Sequence, residues 1–141
     1  MLGGVAMSDE RLDRIVKETT EYIKEKGFKN KELTAFLNDL RLDVLNVLFK
    51  NDLGLKVLKR RGGVEEFDVG KLKRNIASAS DDVKQSLNEG DLSNIANEIL
   101  KRINKTNQKV ISSREIIAVT EKVLYDLGYD GVLVGYKNFT K

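Results

Sequence analysis

The stretch from Lys56 to Leu72, KVLKRRGGVEEFDVGKL, constrains this chain more than any other. Two short runs of strand character flank Arg61-Gly62-Gly63, and a helical pattern starts directly afterwards. Glycine takes positive φ without a Cβ clash, so these residues predict a tight reversal. Side chains alternate along a strand, which places Val57 and Lys59 on one face of the first one. Asp68 stands where an N-cap belongs, with Lys71 one turn inside the helix that follows. Cations and carboxylates are thereby gathered at a hairpin and a helix N-terminus, a setting that suits a phosphate group.

The remainder is dominated by helical periodicity, and composition narrows its chemistry. At 141 residues, 40% of them apolar and 33% charged, the chain can build one domain with at most a small appendage. It contains no cysteine and no histidine. That excludes disulfides, thiol nucleophiles, Ser-His-Asp triads and zinc ribbons. A net charge of +3 is too small and too mixed to name a nucleic-acid binder by itself. No apolar run approaches the roughly 18 residues that a membrane helix needs. The opening MLGGVAM lacks a basic start, so residues 1–7 are expected to be a frayed leader, with Met7 an alternative start. A cytoplasmic location is the default expectation.

Taken in order, Ser8 with Asp9 and Glu10 predicts a helix start. Leu12, Ile15, Val16, Thr19, Tyr22 and Ile23 continue it at helical spacing, and Gly27 ends it. Asn30 is expected to cap a second helix. Its apolar residues, from Leu33 to Phe49, spread over more than one stripe, which predicts burial on more than one side. The two helices are expected to pair antiparallel and to need a third surface. Asn51 to Gly54 breaks the pattern, and the basic excess lies beyond that break.

After the hairpin, Val69, Leu72, Ile76 and Ala79 mark one face of a helix. Asp91 is expected to cap the next, which carries Leu92, Ile95, Ile99 and Ile103. Lys109 to Ile111 predicts a brief third strand. Ser112 and Glu115 form a capping-box pattern opening a helix that Gly128 closes. A last helix follows, apolar at Val132, Tyr136 and Phe139.

Gly63 to Lys71 does not make a P-loop, because the glycine spacing is too long and Leu72 follows the lysine. Glu65, Glu66 and Asp68 are explained by cross-strand pairing with Lys59 and by helix capping more simply than by acid–base catalysis. The tyrosines are read as core or pocket wall.

Taken together, Val57-Leu58-Lys59-Arg60-Arg61-Gly62, then Glu65-Glu66-Phe67-Asp68, Lys71-Leu72 and Ile76, resemble the ATP-cone domain. Weaker support comes from Ser112 to Leu127 and from Gly128-Tyr129 with Tyr136. Such domains are regulatory and non-catalytic. They sit at the N-terminus of ribonucleotide reductase large subunits, where ATP and dATP compete and switch activity through oligomerisation, and they follow a zinc ribbon in a bacterial repressor of reductase genes. The resemblance implies that Val57 lines a nucleotide pocket and that Lys59 and Arg60 hold phosphates. It also implies that Glu65 and Asp68 lie on the adenine or ribose side, with Lys71 a further binding position. Arg61 departs from the family, which commonly has an acid there. Gly70 is a second departure and Leu133-Val134-Gly135 a third. Residues 8–54 have no counterpart in the cone.

These readings give an α+β, mainly α fold: a helical bundle capped by a small antiparallel β-sheet, preceded by an N-terminal helical pair. Residues 1–54 form the leader and helical pair, and residues 55–141 the nucleotide-binding domain. The expected function is a non-catalytic module that binds ATP or dATP, with Mg²⁺ an open question. It would couple occupancy to a partner or to a homo-oligomer formed through the Leu33–Phe49 helix. Two alternatives stand beside it. One is a nucleotide-sensing transcription regulator with residues 8–50 on DNA. The other is a structural helical adaptor with a degenerate cone.

Overall fold

The computed structural model describes residues 10–140. The expected leader and the Ser8-Asp9 helix start lie outside them. Contacts divide the chain into two compact units, Met1–Leu45 and Asn46–Lys141. Among the described residues no helix is long and apolar enough to cross a membrane.

The first unit holds α1 (Glu10–Lys26) and most of α2 (Asn30–Leu48). Gly27, at φ +66°, ends α1 as its sequence predicts, and its N–H donates to the Ile23 carbonyl at 3.0 Å. α2 starts at Asn30 itself. The two helices meet at their joint, where the Tyr22 ring stacks on Phe36 at 5.5 Å and Phe28 lies 5.2 Å from Phe36. Among the described residues, the ring contacts between α1 and α2 lie at this joint. No residue of α2 is fully buried. The expectation of burial on several sides is therefore corrected: an apolar helix is buried only as far as neighbouring surfaces reach it, and among the described residues none encloses this one.

In the second unit, β1 (Lys56–Leu58) and β2 (Val64–Glu66) form the predicted hairpin, with Val57 opposite Glu65. The turn closes through the Gly62 N–H to the Lys59 carbonyl at 2.9 Å, and through the Lys59 N–H to the Gly63 carbonyl at 2.8 Å. Gly62 takes φ +96°, the conformation for which glycine is needed. β3 (Val110–Ser112) lies on the other side of β1 and runs parallel to it, so the order is β2-β1-β3 and the sheet is mixed. The antiparallel sheet of the sequence reading thus holds for the hairpin alone. Parallel strands need a long crossover, and α3 (Val69–Asp82) and α4 (Glu89–Asn104) fall in the connection that leads back to β3.

The helix ends follow local chemistry. Asp68 caps α3 by accepting the Lys71 N–H at 3.1 Å. The cap of α4 is Asn88, not Asp91. Asn88 Oδ1 accepts the Asp91 N–H at 2.8 Å, and the Asp91 carboxylate accepts the Asn88 N–H at 3.1 Å. Asp91 is thus the returning half of a capping box. Ser112 caps α5 (Ser113–Asp126) through the Glu115 N–H. Gly128 at φ +83° ends α5, and the Tyr129 N–H reaches back to the Leu124 carbonyl at 2.8 Å. α6 (Asp130–Phe139) closes the unit.

The core is built from helix faces against the sheet, with Ile76, Ile95, Ile99, Ile111, Leu124 and Val132 fully buried. Two residues assigned to these faces in the sequence, Val69 and Phe139, are instead exposed, at 41% and 48%. Each lies in an end turn of its helix, where the opposing helix no longer covers it. α6 comes close against α3 at Gly135, where an added Cβ would run into the Ala79 carbonyl. Buried Thr120 donates to the Ile116 carbonyl at 2.8 Å, so its hydroxyl is satisfied inside the core.

Candidate functional site

A cleft of about 370 Å³ opens between the hairpin and the helices behind it. Val57 enters from β1, Lys59 from the start of the turn, and Glu65 from β2. Asp68 and Lys71 enter from the capped first turn of α3, followed one turn later by Leu72 and Asn75. The cap explains this placement. Fixing the Lys71 N–H on the Asp68 carboxylate starts the helix at the cleft edge and brings the Lys71 side chain to the same cavity. Five of the six residues singled out in the sequence thus converge there. The sixth, Arg60, is exposed in the turn and is not among the lining residues.

The carboxylates of the cleft do not present a bare negative field. Glu66 accepts a hydrogen bond from Lys56 Nζ at 2.6 Å across the strands, which raises the Lys56 pKa above its ordinary value. Glu65 lies 3.9 Å from Lys59, and Asp68 lies 3.9 Å from Arg74 in addition to capping the helix. Pairs at that distance, this exposed, are loose and exchange partners at little cost. An incoming anion could therefore take Lys59 from Glu65. Lys71 stands beside them at the mouth of α3, where the helix dipole adds to its charge.

The opposite wall came less directly from the sequence. Ser113, Ile116 and Ile117 line it from the first turns of α5, and Tyr136 and Thr140 from the end of α6. The Ser112 cap signal located the start of α5, but nothing local announced that it would face the hairpin. Tyr136 is 3% exposed, and burial pushes its phenol pKa up, opposed in part by a hydrogen bond with Thr120. It remains a neutral wall at any physiological pH. The cleft therefore combines charged groups at the hairpin with apolar surface from Val57, Leu72, Ile116 and Ile117, a lining that fits a ligand with both a flat apolar part and an anionic part. Among the described residues no group of three or more carboxylates could hold a metal ion.

The family profile of the ATP cone domain matches residues 55–139, which takes in the hairpin, all four helices behind it and the whole lining of the cleft except Thr140. A comparison with curated proteins finds no match. The profile covers more than half of the chain, so the chain belongs to the ATP-cone family of nucleotide-binding regulatory domains.

Proposed function

We propose that the cleft takes ATP or dATP and that occupancy, without catalysis, regulates an assembly. In this reading Val57 lies against the nucleotide, and Lys59 and Lys71 hold its phosphates. Arg60 reaches them from the turn, and Glu65 and Asp68 face the base or ribose. The observation that carries the proposal is the convergence of Val57, Lys59, Glu65, Asp68 and Lys71 on one cavity of about 370 Å³, a volume in the range of small-molecule sites. Lysine and arginine bind phosphate through charge-assisted hydrogen bonds, and adenine offers an amino group that a carboxylate can accept. Any Mg²⁺ would arrive with the phosphates, since the protein offers no cage for it among the described residues.

The assembly we propose is a homo-oligomer. Leu37, Leu40, Val44 and Val47 are all exposed on α2, and they are spaced three, four and three apart, the seam of a helix that pairs with another helix. The row is apolar, which suits a protein face better than a phosphate backbone. Titration calorimetry with ATP, dATP and GTP tests the binding, and sedimentation with and without nucleotide tests the readout. Heat with the adenine nucleotides and a shift in sedimentation are expected. Absence of heat with all three up to millimolar concentration removes the proposal.

A further inference from the structure

We propose that Asn46 is a positioning residue that ties the cleft to α2. Asn46 lies in the last turn of α2, ahead of the segment that the family profile covers. Its side-chain Oδ1 accepts the N–H of Lys109 at 2.7 Å and that of Val110 at 3.0 Å, while its Nδ2 donates to the Val110 carbonyl at 2.9 Å. β3 is an edge strand of the sheet. On its inner side the Lys109 carbonyl accepts the Lys56 N–H at 2.8 Å, so the Val110 peptide groups look outward. A carboxamide carries the same donor and acceptor as a peptide unit. Asn46 therefore stands where a residue of a fourth strand would stand, and it occupies the outward peptide groups of Val110 on this edge.

The placement has a consequence beyond stability. Val110 leads through Ile111 to Ser112, which caps α5, and the next residue, Ser113, lines the cleft. On its other side β3 pairs with β1, which carries Val57 into the same cleft. Both walls of the cleft are thus joined to β3, and the Asn46 side chain of α2 holds β3 on its outer side. A ligand that orders the hairpin and the start of α5 restrains β3, and the hydrogen bonds from Asn46 to Lys109 and Val110 pass that restraint to α2. A side chain hydrogen-bonded at once to both elements is a physical link through which two sites can be coupled.

This inference rests on nucleotide occupying the cleft, and the experiment separates the two claims. Amide hydrogen exchange is measured on the full chain with and without saturating ATP, for the wild type, Asn46→Ala and Asn46→Asp. The aspartate keeps the acceptor for Lys109 and Val110 and loses the donor to the Val110 carbonyl, and it covers the case in which alanine fails to fold. In the wild type, ATP is expected to slow exchange at least threefold in the hairpin, at Lys109 and Val110, and in the last turn of α2. In the variants calorimetric binding and hairpin protection persist, while ATP-dependent protection of α2 is lost. Binding with unchanged α2 exchange in the wild type, or α2 protection that survives in both variants, overturns the role of Asn46 and leaves the nucleotide site standing. Absence of ATP binding in the wild type overturns both.

Discussion

Two helices of similar length, α2 and α4, took opposite courses. α2 is the more apolar by sequence, yet none of its residues is fully buried. α4 carries fewer apolar residues and buries Leu92, Ile95, Ala96, Ile99 and Ile103. The difference lies in arrangement. The apolar residues of α4 recur at three and four on a single stripe, its outer face is polar, and a capping box fixes where it begins. Those of α2 run round most of the helix, so no single neighbour can cover them. Apolarity alone does not bury a helix; a face that matches another face does.

This contrast can be broken at its strongest point first. Ile99→Ala in α4 is expected to cost about 2–5 kcal/mol in urea unfolding, because a cavity is left in a rigid core. Leu40→Ala in α2, where the side chain is 36% exposed, is expected to stay within about 0.5 kcal/mol for the monomer. An equal cost at both positions would mean that α2 is covered as fully as α4. The same contrast applies to charge. Lys71→Ala at the cleft is expected to weaken ATP binding by about tenfold or more in calorimetry, the worth of a hydrogen bond to a charged group. Lys17→Ala on exposed α1 should leave it unchanged.

Capping gives a smaller effect. Asn88→Ala at the head of α4 is expected to lose about 1 kcal/mol. Asp91→Ala should lose less, since it removes only the returning bond, and the reverse order would restore Asp91 as the cap. The smallest effect is with acid. Hydrogen bonds from Arg102 hold the carboxyls of Glu98 and Asp126 below their ordinary values, and Lys73 does the same for Glu89. A carboxylate with a lowered folded-state pKa stabilises the fold above its ordinary value of 4.5 for glutamate or 3.8 for aspartate. That contribution fades as the pH falls through the lower folded value. Urea midpoints of the wild type should therefore drop below about pH 4.5, and Arg102→Met should flatten that slope. Removing the exposed Arg14–Glu18 pair on α1 should not move the midpoint.

How much of this was legible in the sequence follows the range of the forces involved. The turn at Gly62, the cap at Asp68, the cap at Ser112 and the stop at Gly128 were all readable, because each is decided by residues within four positions of one another. The hairpin side of the cleft was readable for the same reason. Asn88 was missed because a box presents two residues of cap type three apart, and the sequence does not say which leads. The parallel pairing of β3 was out of reach, since three residues carry no register signal and the partner lies more than fifty positions away. Ile117 and Thr140 reach the cleft only through the packing of α5 and α6, and the hydrogen bonds of Asn46 span 63 or 64 positions.

The contact between Gly135 and Ala79 carries a last implication. Asn75 belongs to the same helix as Ala79, and Tyr136 directly follows Gly135, so opposite jambs of the doorway hang on helices held together at a place without a side chain. The opening is therefore gauged from behind, at a point no ligand touches. One methyl group inserted there would wedge the jambs apart, which makes residue 135 the handle for anyone wishing to fit a bulkier guest.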